Sequence, residues 1–332
     1  MEKKINTAKR GPIARIFKSQ EGIAFAAAVV LFIFFTVASK SFRRYTTIVT
    51  LCNYMYYILL MAIGVTFPLI TGGVDLSLGT GIVCYSIIGS YIINQIGMPV
   101  GAGMFVTVLL GIMFGVINGI IIATLELPPF IATLCTMMIV RGLGSILTGG
   151  MSGVWPMEGS SGGWCRSIFK VNLNGKVIPI GIIWMVIILI IMSVILRKTR
   201  IGRYIIALGS NKEALRLSGV NVVKWLIVAY SICGLFTGFA AIAYACTFSN
   251  ITPGTGAGLE LDAIGGAIIG GTSMTGGVGS ISGTFLGVLI ISLLKTGLPY
   301  VGLQANWQQI ITGIVLIAAV TIDVTQHKKK TV

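Results

Sequence analysis

Acidic residues are scarce: nine aspartates and glutamates in 332 residues, with 10% of positions charged, against about 25% in a soluble domain. That excludes an ordinary soluble enzyme. It also deprives an ion-coupled carrier of the mid-membrane carboxylates such a relay uses. The single histidine, His327, stands in a basic tail, so a histidine-centred catalytic or metal site has no material. None of the six cysteines (Cys52, Cys84, Cys135, Cys165, Cys233, Cys246) has C-x-x-C or metal-ligand spacing, and all but Cys165 fall in apolar runs. They read as small buried hydrophobes. No G-x-x-x-x-G-K-[ST] occurs, so the backbone cradle and lysine that hold ATP phosphates are missing. If nucleotide drives this protein, another chain binds it. Catalytic, cofactor and metal residues are expected to be none.

What the chain does have is apolar length. Hydrophobic residues make up 55% of it, and glycine fills 44 positions without a G-X-Y period. Apolar runs lie at about 22–39, 48–71, 77–97, 99–125, 127–149, 177–196, 222–247, 259–274, 280–299 and 307–324. Their lengths suit helices of about 20 residues rather than barrel strands of about 10. The expected fold is an all-α polytopic membrane bundle of about ten transmembrane helices with a possible internal repeat. Its parts are a basic N-terminal segment (1–20), a transmembrane domain (21–325) and a basic tail (326–332). No gap between runs is long enough for a soluble domain.

The net charge of +15 would suit nucleic acid if it were spread over a soluble surface. It is concentrated instead in Lys3, Lys4, Lys9, Arg10, Arg15 and Lys18, in Arg197, Lys198, Arg200, Arg203, Lys212, Arg216 and Lys224, and in Lys328, Lys329 and Lys330. Short basic flanks beside apolar runs are the positive-inside signature, and nucleic acid is set aside. Six runs separate the first two blocks and four separate the last two, so all three fall on one side. Both termini and the 197–221 loop are then cytoplasmic, and the 150–176 loop, with Trp155 and Trp164, faces outward. The 259–274 run is short and broken by glycine, and re-entry is open there.

Two stretches look alike. Gly72-Gly73-Val74 leads to Ser77 and Gly79-Thr80, and Gly276-Gly277-Val278 leads to Ser280 and Gly283-Thr284; internal repeats with broken helices are a common transporter ground plan. Glycines also recur every fourth position (Gly111, Gly115, Gly119; Gly234, Gly238; Gly266, Gly270; Gly279, Gly283, Gly287), which lets helix backbones approach closely. Ionisable residues at depth, costing about 2.5–3.5 kcal/mol each, need a reason. For Asp75 an N-cap is preferred over ligand contact. Arg141 and Lys295 are expected to snorkel to the interface. Glu260 and Asp262 open a helix and read as dipole-offsetting caps. Uncharged polar groups at depth (Asn53, Asn94, Gln95, Asn118, Thr133, Thr136, Ser231) could serve a neutral polar solute, although most such hydroxyls bond the turn below. The candidates for a translocation path are Asp75, Ser77, Asn118, Thr133 and Thr136.

Between long runs, Lys212 to Leu217 form a short amphipathic helix after a cap at Asn211 and before a stop at Gly219, the form of a docking surface for a cytosolic partner. The pieces GGVDLSLG (72–79), LPPFIATL (127–134) followed by Arg141-Gly142-Leu143, GRYIIALGSNKEALRLSGVNV (202–222) and ELDAIGGAIIGGTSMTGGVGSISGTFLG (260–287) make the chain resemble the membrane subunits of bacterial ABC importers for simple sugars, the ribose-type permeases. Cys135 and Lys295 depart from that pattern and bear on the cargo. The resemblance implies a bacterial inner-membrane permease that is not an enzyme. It also implies a second permease copy (identical or paralogous), an ATP-binding ABC subunit and an extracytoplasmic sugar-binding protein. Asn211, Glu213, Ala214, Arg216 and Gly219 are then the residues coupling to the ATPase. The alternative is a self-sufficient facilitator or ion-coupled secondary carrier.

Overall fold

The computed structural model describes residues 20–331; the basic segment 1–19 lies outside the described residues. Twelve α-helices follow in order: α1 Gln20–Ala38, α2 Tyr45–Ile70, α3 Ser77–Asn94, α4 Val100–Thr124, α5 Pro129–Thr148, α6 Gly181–Lys198, α7 Arg200–Ser210, α8 Lys212–Leu217, α9 Val222–Thr247, α10 Leu259–Ile269, α11 Ile281–Tyr300 and α12 Ala305–Thr331. A two-stranded hairpin, β1 Val171–Leu173 with β2 Lys176–Ile178, interrupts them. Eight of the helices among the described residues (α1 to α6, α9 and α11) are long and apolar enough to cross a membrane. This is an all-α, multi-pass membrane bundle.

Two of the ten expected spans take another form. Helix α10 has 11 residues, about 16 Å at 1.5 Å per residue, roughly half of a 30 Å hydrocarbon core. Residues 270–280 are not helical and return to α11. The 259–274 run is thus a half-helix, as its glycines allowed. Helix α12 is long enough at 27 residues, but it opens on Asn306, Gln308, Gln309 and Thr312 and is not among the eight. The run expected from 177 starts as a helix only at Gly181, because residues 176–178 pair as β2.

The bundle is organised around α2, whose residues from Tyr56 to Ile70 are all buried; a helix that is apolar all round belongs inside. Helices α9, α10 and α11 pack on it, with α4 against α9 and α1 against α11. The glycine stripes set the closest approaches. A Cβ on Gly115 would lie 2.9 Å from the Gly234 Cα, and one on Gly238 would lie 2.7 Å from the Val108 Cα. Gly266 and Gly270 meet Gly287 and Gly283 in the same way between α10 and α11. Without a hydrophobic drive in lipid, such backbone contact supplies the packing.

At one end the segment 150–180 plugs the bundle. Trp155 is fully buried, its indole N–H donating to the Ser86 carbonyl at 2.9 Å, while Trp164 stays exposed. Arg166, also buried, donates to the carbonyls of Pro156 (2.9 Å), Cys246 (3.2 Å) and Trp155 (3.2 Å). Beside it Cys165 is hydrogen-bonded to Cys246, which pulls its thiol down to about 7 against the opposing effect of burial, with help from the Arg166 charge. Cys135, by contrast, is exposed on α5, which corrects the expectation of a buried hydrophobe.

Candidate functional site

At the opposite end lies the α7–α8 segment. Asn211 caps α8, its Oδ1 accepting the Ala214 N–H at 2.9 Å. Gly219 ends the turn at φ +77°, a left-handed conformation that disfavours side chains. Leu215 is the anchor, buried in a cluster with Leu208, Val222 and Leu226. The outward face carries Glu213 and Arg216, an i,i+3 pair 3.4 Å apart and largely solvated, together with Leu217 at 85% exposure. A solvated pair of this kind contributes little to stability, so these side chains are free to meet a partner. Removing the cap with Asn211→Ala is expected to cost about 1 kcal/mol locally and to speed amide exchange at Ala214 about fivefold; unchanged exchange would refute the capping role.

The segment is wired to the bundle through Gly209, a residue that the sequence did not single out. A side chain there would run into the Ile70 carbonyl at the end of α2 and lie 2.5 Å from the Gly277 nitrogen. The Gly277 N–H in turn donates to the Ile70 carbonyl at 2.8 Å. So α7, the end of α2 and the 270–280 loop share one contact. Gly72, of the first repeat-like stretch, sits there too: a Cβ on Gly276 would be 3.1 Å from its nitrogen. The threonines of both stretches make interhelical contacts, Thr284 with Thr66 (3.0 Å) and Thr80 with the Arg141 guanidinium (3.4 Å). Arg141 stays exposed while it reaches Thr80 on α3. At the same end Glu21 of α1 accepts from Ser280 and from Ser282 (2.8 Å) and lies 3.7 Å from Arg197, tying the starts of α1 and α11 to the end of α6. The Ser280 hydrogen bond and burial act in opposite senses on the Glu21 carboxyl.

Four of the five path candidates come together in one buried polar network. Asp75, one residue before the N-cap Leu76, accepts through Oδ1 from the Ser77 N–H (2.9 Å) and hydroxyl (2.6 Å) at the start of α3. Asn118 of α4 donates to the Ser77 hydroxyl at 3.1 Å, and Thr133 of α5 accepts the Leu76 N–H at 3.1 Å. Thr136 bonds only the turn below it, at Ala132 (3.0 Å). All five are buried, with Asn118 and Thr133 at 0% exposure. Asn118 Oδ1 and the Tyr230 hydroxyl, also buried, have no hydrogen-bond partner among the described residues. This network joins α3, α4 and α5 where the glycine pair 72–73 lets Tyr230 and Pro129 press against the backbone.

Lys295 departs from its expected role. Instead of snorkelling, the Lys295 ammonium lies 2.7 Å from an Asp262 carboxylate oxygen, with side chains 18% and 7% exposed, and it stands 6.0 Å over the Tyr54 ring. Both acids stand in the first turn of α10 as expected, Glu260 accepting the Gly258 N–H at 3.0 Å, while Asp262 is in addition the ion-pair partner of Lys295. The two residues are 33 positions apart, and no local period signals their meeting.

A half-helix broken by glycine beside a repeat-like pair of loops follows the common ground plan of membrane transporters. Residues 47–320 match the family described as branched-chain amino acid transport system / permease component, and the chain belongs to it. It is similar to the ribose import permease protein of Escherichia coli strain K12, 36% identical over 270 residues (80% of this chain, 81% of that protein). It is also similar to the galactose/methyl galactoside import permease protein of Haemophilus influenzae, 34% identical over 286 residues (82% and 84%). The fructose import permease protein of Bifidobacterium longum is 31% identical over 306 residues (90% and 89%). No solved structure is significantly similar to the chain.

Proposed function

We propose that this chain is the membrane permease subunit of an ATP-driven ABC importer for a monosaccharide or similar small polar solute in the bacterial inner membrane. It works with a second permease copy, cytosolic ATP-binding subunits and an extracytoplasmic binding protein. The relatives named for ribose, galactose and fructose import support the sugar class. One contact carries the mechanism: Gly209 lies against both Ile70 and Gly277. The exposed Glu213–Arg216 face of α8 docks on the ATP-binding subunit. Closure of that subunit pushes α7, and the push reaches the end of α2 and the 270–280 loop, from which α11 starts. The permease supplies contacts that differ between its two states, which is what a population shift needs, and it performs no bond chemistry. ATP hydrolysis belongs to the partner. Asp75, Ser77, Asn118, Thr133 and Thr136 wall the closed end of the path.

Glu213→Ala and Arg216→Ala are expected to abolish uptake while leaving the chain in the membrane at normal abundance, as read by sugar accumulation in cells and by immunoblot of the membrane fraction. Full uptake by both variants would refute the docking assignment. Uptake by the purified chain alone in liposomes would instead establish a self-sufficient carrier.

A further inference from the structure

A cavity of about 530 Å³ opens between α10, α11 and the first turns of α12. Asp262, Lys295, Gln308 and Thr312 line it on the polar side, and Leu261 and Leu316 on the apolar side. Its size falls within the roughly 300–1,000 Å³ of small-molecule sites. Ionisable side chains persist at membrane depth where they pair with one another, and this pair also lines the cavity.

Resting on the permease reading, we infer that this cavity is a binding station for an uncharged polyhydroxyl solute, with Asp262, Lys295, Gln308 and Thr312 as its hydrogen-bonding wall. The chemistry of the donor set selects that class. The ion pair is closed at 2.7 Å, so its charges cancel and neither an anion nor a cation gains net attraction. Each ion keeps hydrogen-bonding capacity beyond its partner: the carboxylate has further lone pairs and the ammonium further N–H donors. Gln308 offers an amide N–H and C=O, and Thr312 a hydroxyl. A vicinal diol, which donates and accepts through adjacent oxygens, matches this mixed wall, while the C–H face of a sugar ring lies against Leu261 and Leu316. A zwitterion such as an amino acid would have to pull the pair apart and leave two poorly hydrated ions to be satisfied anew.

The test uses the complete importer in liposomes, with labelled D-ribose, D-galactose, D-fructose and L-leucine as probes. In Gln308→Ala/Thr312→Val, which leaves the ion pair intact, flux of the transported sugar is expected to fall about tenfold, the loss of one or two hydrogen bonds. ATP hydrolysis stimulated by the binding protein is expected to stay unchanged. Unaltered sugar flux in this variant overturns the inference and leaves the permease reading standing. So does a parallel fall of flux and ATP hydrolysis, which marks a structural role. Transport of L-leucine in preference to every sugar also overturns it. If the unaltered importer shows no ATP hydrolysis stimulated by its binding protein and moves none of the four probes, the permease reading itself fails, and the inference with it.

Discussion

Lys295→Met is expected to destabilise the detergent-solubilised chain by about 3–5 kcal/mol, because it strands a buried charge whose ion-pair partner is gone. Asp262 keeps 7% of its side chain exposed, too little for water to replace the ammonium. The mirror variant, Asp262→Leu, leaves Lys295 equally alone and is expected to lose a similar amount. Asp262→Leu/Lys295→Met should recover most of the stability, since apolar side chains of similar volume commonly substitute for a buried pair without net cost. Thermal unfolding of the three variants checks this. If the single variants melt with the unaltered chain, the pair is not buried in the way described. If the double variant melts as low as either single one, packing rather than stranded charge is at fault. The double variant also separates stability from transport: it should fold, yet it presents an apolar wall where the sugar contacts are inferred.

Gly234→Val should be at least as damaging. Its Cβ would overlap the Gly111 carbonyl and lie 2.8 Å from the Gly115 Cα. Those neighbours are backbone atoms, so no rotamer change on α4 relieves the clash, and the two helices must separate. Overpacking typically costs about 1–3 kcal/mol, and backbone-on-backbone overlap belongs at the upper end of that range or beyond it. The expected observation is loss of a monodisperse peak in size-exclusion chromatography, with the melting temperature falling in whatever material remains. Gly142→Ala on α5 is the control. Nothing lies within 4 Å of its added Cβ, and alanine is favoured over glycine in a helix interior by about 1 kcal/mol, so its stability should be equal or slightly higher. Equal damage from both substitutions would mean that glycine matters for chain flexibility rather than for contact across the α4–α9 seam.

These expectations differ in how far they were legible beforehand. The four-residue glycine spacing in α4 and α9 announced a close helix contact, and the structure pairs those two stripes with each other. A spacing rule names a face but not the helix that meets it. Asn211, Glu213 and Gly219 were readable because capping depends on neighbours within one turn. Gly209 was not, because its reason lies in Ile70 and Gly277, far away in sequence. Asp75 was read as the N-cap, whereas the structure puts Leu76 there and leaves Asp75 one residue earlier, accepting from Ser77. Its links to Asn118 and Thr133 required α3, α4 and α5 to be assembled. Lys295, Arg141 and Asp262 were each noticed as anomalies and each assigned a local remedy: interface or helix end. For Lys295 and Asp262 the structure gave a distant partner instead, each the other's, because a buried charge is stabilised far more by an opposite charge brought to it than by a long stem reaching for water; Arg141 stays exposed.

Residue order by itself determined that this is a bundle of membrane helices, where most of them begin and end, and which short helix stands capped at one end. Hydropathy, capping and glycine spacing act over one to five turns, and the fixed thickness of the hydrocarbon core converts run length directly into span number. Only the tertiary structure decided that the 259–274 run is a half-helix, that Asp262 holds Lys295 beside a polar cavity, and that Gly209 ties α7 to two loops at once. Those features depend on segments separated by tens to hundreds of residues, and no local pattern encodes the contact until packing has removed water from both sides of it.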